Sequence, residues 1–374
     1  MKRSDFVFIF ISFLIWRIGI SVIAVFAIKF IPLFSNNYFG GSFSTYQTNP
    51  LFWGHLNFDG EHYLSIAQSG YKTLEYFFFP LFPYLIKVLS TGQNLITIAS
   101  IGLIISNLSF FIALIGIYKL VKLDYKENVA KLAIILFLIF PTSFYFGAFY
   151  TESLFLALVV WTFVLARKNN FLLASLFAAL ASATRIVGIV LFPILFLEFF
   201  IQKRKNFLPI LFSPLGVILY IYYLFKQTGD PLIFFHQVSI FGQQRSSKFI
   251  LLPQVLYRYF FEILPHVSYL YFPNVFTTYL EFICGIVVLF LVIFSFFKLR
   301  ITYAVYAFLT YLIPTLAGSF SSMPRYALII FPIFILIALY LDKVPRTYRY
   351  IFFSVMILML IIAESLFWRG YWIS

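Results

Sequence analysis

Apolar runs of roughly 17 to 25 residues recur along the whole of this 374-residue chain. Each is long enough, as a helix, to cross about 30 Å of hydrocarbon. Backbone polar groups in lipid must find partners within their own segment, and these runs are continuous rather than alternating in polarity. They therefore predict membrane-spanning helices and not barrel strands. Composition agrees, since 11% of residues are charged and 62% hydrophobic, against about 25% charged in ordinary soluble domains. That excludes a soluble globular protein.

The net charge of +14 would suggest a nucleic-acid surface if it were clustered on one polar face. Here the basic residues lie between the apolar runs, so they are read as topology signals and no nucleic-acid partner is expected. The single cysteine, Cys284, lies inside an apolar run, which leaves no disulfide framework or cysteine metal site within one chain. The opening segment has the basic start of a signal peptide. Its apolar part is too long and has no small-residue cleavage site, so it is expected to be a retained first span.

With Lys2 and Arg3 on the cytoplasmic side, every second connection must be basic. The sequence meets this condition at 119–131, 166–170, 202–205, 298–300 and 342–349; with Lys2 and Arg3 these segments hold 16 of the 27 basic residues. The matching spans are about 6–30, 95–118, 132–149, 152–166, 171–184, 186–201, 207–225, 278–297, 301–317, 326–341 and 350–367. The fold class is thus an all-α polytopic membrane protein with about eleven transmembrane helices. Residues 77–89 are too few to cross and contain Pro80 and Pro83, so they read as a re-entrant or interfacial segment. Two long non-cytoplasmic loops remain, about 31–76 and 226–277, both rich in aromatic residues that suit the headgroup level. No repeat or polar stretch marks a second domain, so residues 1–374 form one membrane domain.

The first loop concentrates polar chemistry. Trp53 to Pro83 holds three of the thirteen acidic residues (Asp59, Glu61, Glu75) and two of the four histidines (His55, His62). A helix capped by Asn57 and stopped at Gly70 would place Asp59, His62, Tyr63 and Ile66 on one face and Glu61, Ser65 and Gln68 on another. An amphipathic surface helix with solvated acids is one reading of this segment. Glu152, Arg185 and Arg325 alter the balance, because the same topology puts them at or just within the same membrane boundary. Charges at that depth tend to pair or to line a polar cavity. Taken singly, Arg185 and Arg325 also fit snorkelling to headgroups, and Glu152 also fits a helix start.

The segments FDGEHYLSIAQSGY and YFFFPLFP resemble the Asp-Gly, Ile-Ala, Gly-Tyr and Phe-Phe-Pro pattern of the PIG-V family of mannosyltransferases in GPI-anchor assembly and its prokaryotic relatives. FPTSFYFGAFYTESLFLAL, LASLFAALASATRIVGIVLFP and SMPRYALIIFP are similar to that family's later segments, in the family's order, over about residues 50–335. The resemblance implies a GT-C-type glycosyltransferase that takes a sugar, mannose in the family, from a polyprenyl-phosphate donor on the non-cytoplasmic side. The acceptor would be a lipid-linked or other glycan, and membrane lipids would surround the protein. It implies Asp59 as the catalytic base, with Glu61 and His62 beside it. Glu152, Arg185, Arg325 and Tyr326 fall in the matching segments as substrate or donor-phosphate residues. Phe58 stands where the family usually has Trp and Asn57 where Arg is common.

The chemistry asks for the same groups. Transfer from a lipid phosphate needs a base for the acceptor hydroxyl and cations for the leaving phosphate. Asp59 suits the first role; Arg185 and Arg325, with His236 of the second loop, suit the second. Direct displacement would invert the anomeric centre. Asp59-x-Glu61 could hold a divalent cation, but two carboxylates without a clear third ligand do not favour it, and no other cofactor is assigned. His55 and His266 read as interfacial residues. A transporter or lipid flippase, which also keeps charges in its spans, is the alternative, as is a non-catalytic subunit of the same architecture. The Ile, Phe, Lys and Asn content points to an AT-rich prokaryotic genome. The expected location is therefore the plasma membrane with the site on its outer face, or the lumenal face of the endoplasmic reticulum in a eukaryote.

Overall fold

The computed structural model describes residues 2–34, 39–91, 94–237 and 249–373. No strand occurs among the described residues. The chain begins with α1 (Arg3–Phe30), crosses the first loop through short turns and α2 (Asp59–Ser69), and reaches α3 (Leu81–Leu89). A helical bundle follows: α4 (Leu95–Asp124), α5 (Glu127–Ile139), α6 (Glu152–Arg167), α7 (Phe171–Thr184), α8 (Leu191–Ile201) and α9 (Leu215–Thr228). The second loop, of which 238–248 lie outside the described residues, leads to α10 (Phe272–Lys298), α11 (Ile301–Thr315), the short α12 (Met323–Ala327), α13 (Phe331–Leu341) and α14 (Arg346–Trp368).

Eleven of these, all but α2, α3 and α12, correspond in order to the eleven expected spans. Five are long and apolar enough to cross a bilayer: α1, α4, the stretch Leu208–Thr228 that contains α9, α10 and α14. The protein is thus an all-helical, multi-pass membrane protein. The other six run only 11 to 16 residues. Helix α3, at nine residues, is shorter than a crossing requires.

The chief departure from expectation lies between α5 and α6. The sequence suggests a span over 132–149, but α5 ends at Ile139 and Phe140 adopts φ −62° and ψ 141°. Pro141 accounts for this, because a proline forces its predecessor out of the helical region and cannot donate to the preceding turn. The chain then makes a 3-10 turn at Ser143–Gly147 before α6 starts at Glu152. All residues from 141 to 153 are buried, which is what makes irregular backbone tolerable at membrane depth.

Close helix approach is set by small residues. Gly102, Ser106, Ser109, Ala113 and Gly116 are buried along one side of α4, the small-residue spacing that lets helices in lipid pack by van der Waals contact. Gly188 does similar work against α7: a Cβ there would lie 2.5 Å from the backbone C of Ala181 and the N of Ser182. Backbone cannot yield as a side-chain tip can, so Gly188→Ala is expected to cost roughly 1–3 kcal/mol through overpacking. Because Gly188 follows Arg185 in the same turn, the variant should also lose activity; an unchanged thermal midpoint in detergent or nanodiscs would refute the packing argument.

The end of α6 remote from Glu152 carries its own ion-pair network. Arg167 bonds Asp124 at 2.7 Å through each of two nitrogens and Tyr303 at 2.9 Å. Arg300 holds the buried Glu198 at 2.8 and 3.0 Å, and Thr302 adds a bond of 3.1 Å. Two basic residues that serve as topology signals in the sequence therefore also join α4, α6, α8 and α11.

Candidate active site

Asp59 is the first residue of α2, and the backbone just before it is unusual. Phe58 has φ 59° and ψ −118°, a conformation that costs a bulky L-residue of the order of 1–3 kcal/mol. Packing holds it there, with the Phe58 ring 5.0 Å from Trp372 and 5.7 Å from Phe367. Asn57, expected as the helix cap, is buried and does other work. Its amide donates to the Phe367 carbonyl at 3.1 Å, and its own carbonyl accepts the Tyr150 hydroxyl at 2.6 Å. Gly70 closes the helix at φ 82°, as its lack of a side chain permits.

Arg325 comes from the far part of the chain, on α12 and three residues after Ser322, which also has positive φ (64°). The Ser322 N–H donates to Glu281 at 2.9 Å, and Thr142 of the α5–α6 break donates to the Pro324 carbonyl at 2.8 Å. The guanidinium therefore enters the site from a fixed turn. It bonds Asp59 at 2.5 Å through Nη1 and Glu152 through Nε. Glu152, at the start of α6 and 0% exposed, also accepts Arg185 Nη1 at 2.6 Å. Arg185, just past the end of α7, bonds the Thr151 hydroxyl at 3.2 Å as well.

Four charges from four separate parts of the chain thus form one ladder, Asp59–Arg325–Glu152–Arg185, that sums to zero. Aromatic faces surround the cations: Arg325 lies over Tyr150 at 4.9 Å and Tyr145 at 5.4 Å, and Arg185 over Tyr326 at 5.4 Å. A cavity of about 880 Å³ opens beside the ladder, within the size range of small-molecule sites. Asp59, His62, Arg185, Arg325 and Tyr326 line it, whereas Glu152 stands behind the arginines. The rest of the wall is largely aromatic, including Phe77, Phe78, Phe79 and Trp372.

Five of the eight expected site residues therefore share one cavity wall, with Glu152 directly behind it. His62, a turn after Asp59, stacks on Phe78 at 4.8 Å. Glu61 and His236 do not line the cavity. His236 is exposed and pairs with Asp230 at 2.7 Å, while its neighbours Phe234 and Phe235 reach the wall. Glu61 turns toward the Lys72–Glu75 side of the loop. Burial first, then the Glu75 charge, raise its carboxyl to about 7, partly offset by Lys72. Among the described residues no group of three or more His, Cys, Asp or Glu side chains could hold a metal ion.

The Glu61 shift gives a signed pH dependence. The folded carboxyl holds its proton more firmly than the unfolded one, so stability falls as pH rises from about 4.5 to about 7. Glu61→Gln should flatten that slope and raise the thermal midpoint above pH 7; parallel curves for the two proteins would refute this.

Several parts of the site were not singled out in the sequence. Tyr145, Tyr150 and Thr151 sit in a quoted segment, and their proximity to Glu152 was the available signal. Phe34, Trp372 and the Ser319–Ser322 turn reach the cavity only through tertiary packing. Arg17 and His55 form another contact, half-buried and at 3.2 Å. Desolvation, with Arg17 beside it, lowers the His55 pKa and keeps the ring neutral.

The site thus joins paired carboxylates and arginines to a largely aromatic cavity in a multi-pass helical membrane protein. The family model for mannosyltransferase (PIG-V) matches residues 27–208. The match takes in Asp59, Glu152 and Arg185 and ends before Arg325. No curated protein matches the sequence. Among solved structures the chain is similar to the apo form of the Archaeoglobus fulgidus oligosaccharyltransferase, with TM-score 0.45, 12% identity, and coverage of 99% of this chain and 55% of that one. It is also similar to AglB of the same organism in complex with an inhibitory peptide and a dolichol-phosphate, with TM-score 0.43, 12% identity, and coverage of 96% and 56%. The chain spans about half the length of these structures.

Proposed function

We propose that the protein is an integral membrane glycosyltransferase that moves a sugar, mannose by family, from a polyprenyl-phosphate donor to a lipid-linked or other glycan acceptor on the non-cytoplasmic face. The observation that carries this reading is the cavity wall on which one carboxylate and two guanidiniums meet an aromatic lining. Aromatic and aliphatic surface suits an isoprenoid chain, and planar guanidiniums suit a phosphate. Asp59 is the group we assign to take the proton.

In the step we assign, the acceptor hydroxyl oxygen bonds to the anomeric carbon while the bond from that carbon to the phosphate oxygen breaks. The hydroxyl proton passes to the Asp59 carboxylate. The electron pair leaves with the polyprenyl phosphate, whose charge Arg185 and Arg325 stabilise in place. A single displacement inverts the anomeric centre. Arg185 and Arg325 need no reorganisation to do this, because Glu152 already fixes both.

The test is to supply the purified protein in nanodiscs with polyprenyl-phosphate mannose, glucose and arabinose together with membrane lipid extract. Transfer of mannose, with opposite anomeric configuration in the product, is expected. Absence of transfer from every lipid-phosphate sugar, in a preparation that remains folded, would reject the reading.

A further inference from the structure

The two carboxylates on Arg325 differ in a way that assigns them different tasks. Glu152 is fully buried, lies outside the cavity wall, and is also held by Arg185. Asp59 lines the cavity, is 19% exposed, and holds only the Nη1 arm of Arg325. A phosphate that takes the Nη edge of Arg325 as a fork meets that same arm, because Glu152 holds Nε on the buried side. Asp59 and a donor phosphate therefore both reach for Nη1, and a carboxylate held by a short charge-assisted bond is oriented toward the arginine rather than toward an incoming hydroxyl.

Resting on the reading above, we propose that Asp59 is the resting counter-ion of Arg325 and that the donor phosphate displaces it, so that donor binding is what releases the base. The ladder is neutral at rest, and bringing in the phosphate makes it anionic. The acceptor proton then neutralises Asp59 during transfer. The released carboxylate has a place to go, since Asp59 opens the eleven-residue helix α2 and the N-terminus of a helix favours negative charge. Glu152 stays put throughout and keeps the two arginines at their spacing. The consequence is an ordered reaction in which the donor must bind before any hydroxyl, including that of water, can be activated.

If Asp59 competes for Arg325, removing its charge removes a competitor, and apparent affinity rises by the inverse of the competent fraction. Binding of farnesyl phosphate to the nanodisc-embedded protein, read by tryptophan fluorescence or calorimetry, tests this. Asp59→Asn is expected to bind on the order of 10-fold more tightly than the wild type. Asp59→Ala serves as a second variant should the first misfold, and Glu152→Gln should show no gain. Equal or weaker binding in both Asp59 variants, with clear wild-type binding, would overturn the counter-ion role and leave the proposed activity standing. Failure of the wild type to bind any polyprenyl phosphate would overturn the activity itself and this inference with it.

Discussion

Replacing Arg325 by methionine is expected to abolish transfer and to destabilise the folded protein by roughly 3–5 kcal/mol, the usual cost of leaving a buried ion without its partner. Methionine keeps much of the stem's volume, so the loss isolates the guanidinium. Glu152 would keep Arg185 alone, and its buried carboxylate would be left with half its cationic shell. A second variant separates the two effects. Arg325→Lys keeps a cation beside Glu152 and Asp59, so it should recover much of the thermal midpoint while transfer stays strongly reduced, because the planar fork is lost. Thermal unfolding in nanodiscs beside a transfer assay provides both readouts. Wild-type transfer in Arg325→Lys would remove the phosphate-fork role from Arg325.

Asp59→Asn is expected to leave folding nearly intact and to lower the transfer rate about 10²- to 10⁴-fold, the range that a positioned base supplies. Asparagine has the same shape and keeps a hydrogen-bond acceptor near Arg325, but it cannot take the acceptor proton. Arg325 retains Glu152 in that variant, so no buried charge is stranded. The decisive measurement is the single-turnover rate at saturating donor. A rate within about tenfold of wild type would remove Asp59 from the base role.

Much of the fold is legible because lipid imposes a simple rule: a helix long and apolar enough to cross, then a charged connection. Order and approximate bounds of the eleven apolar helices follow from it. The rule gives no warning that the span expected over 132–149 stops at Ile139, because Pro141 and the buried 3-10 turn after it act through packing rather than through hydropathy. At the site, Asp59, Glu152, Arg185 and Arg325 stand out because charge is rare at that depth. Their arrangement as a ladder does not, since it depends on the positive-φ turns at Phe58 and Ser322 and on Asn57 bridging to Phe367 and Tyr150. Asn57 shows the limit well: next to a helix start it looks like a cap, and only the position of α14 turns its amide elsewhere. His236 shows the converse, an imidazole of suitable type that exposure and Asp230 draw away from the cavity.

The two charge networks at opposite ends of α6 have a mechanical meaning. A sixteen-residue helix spans about 24 Å, and here it is riveted at its start through Glu152 and at its finish through Arg167. Sliding it along its own axis would require both rivets to shear together. It is therefore the fixed side of the proposed site, and on the proposed function a movement that admits a substrate is expected of the aromatic lining rather than of α6.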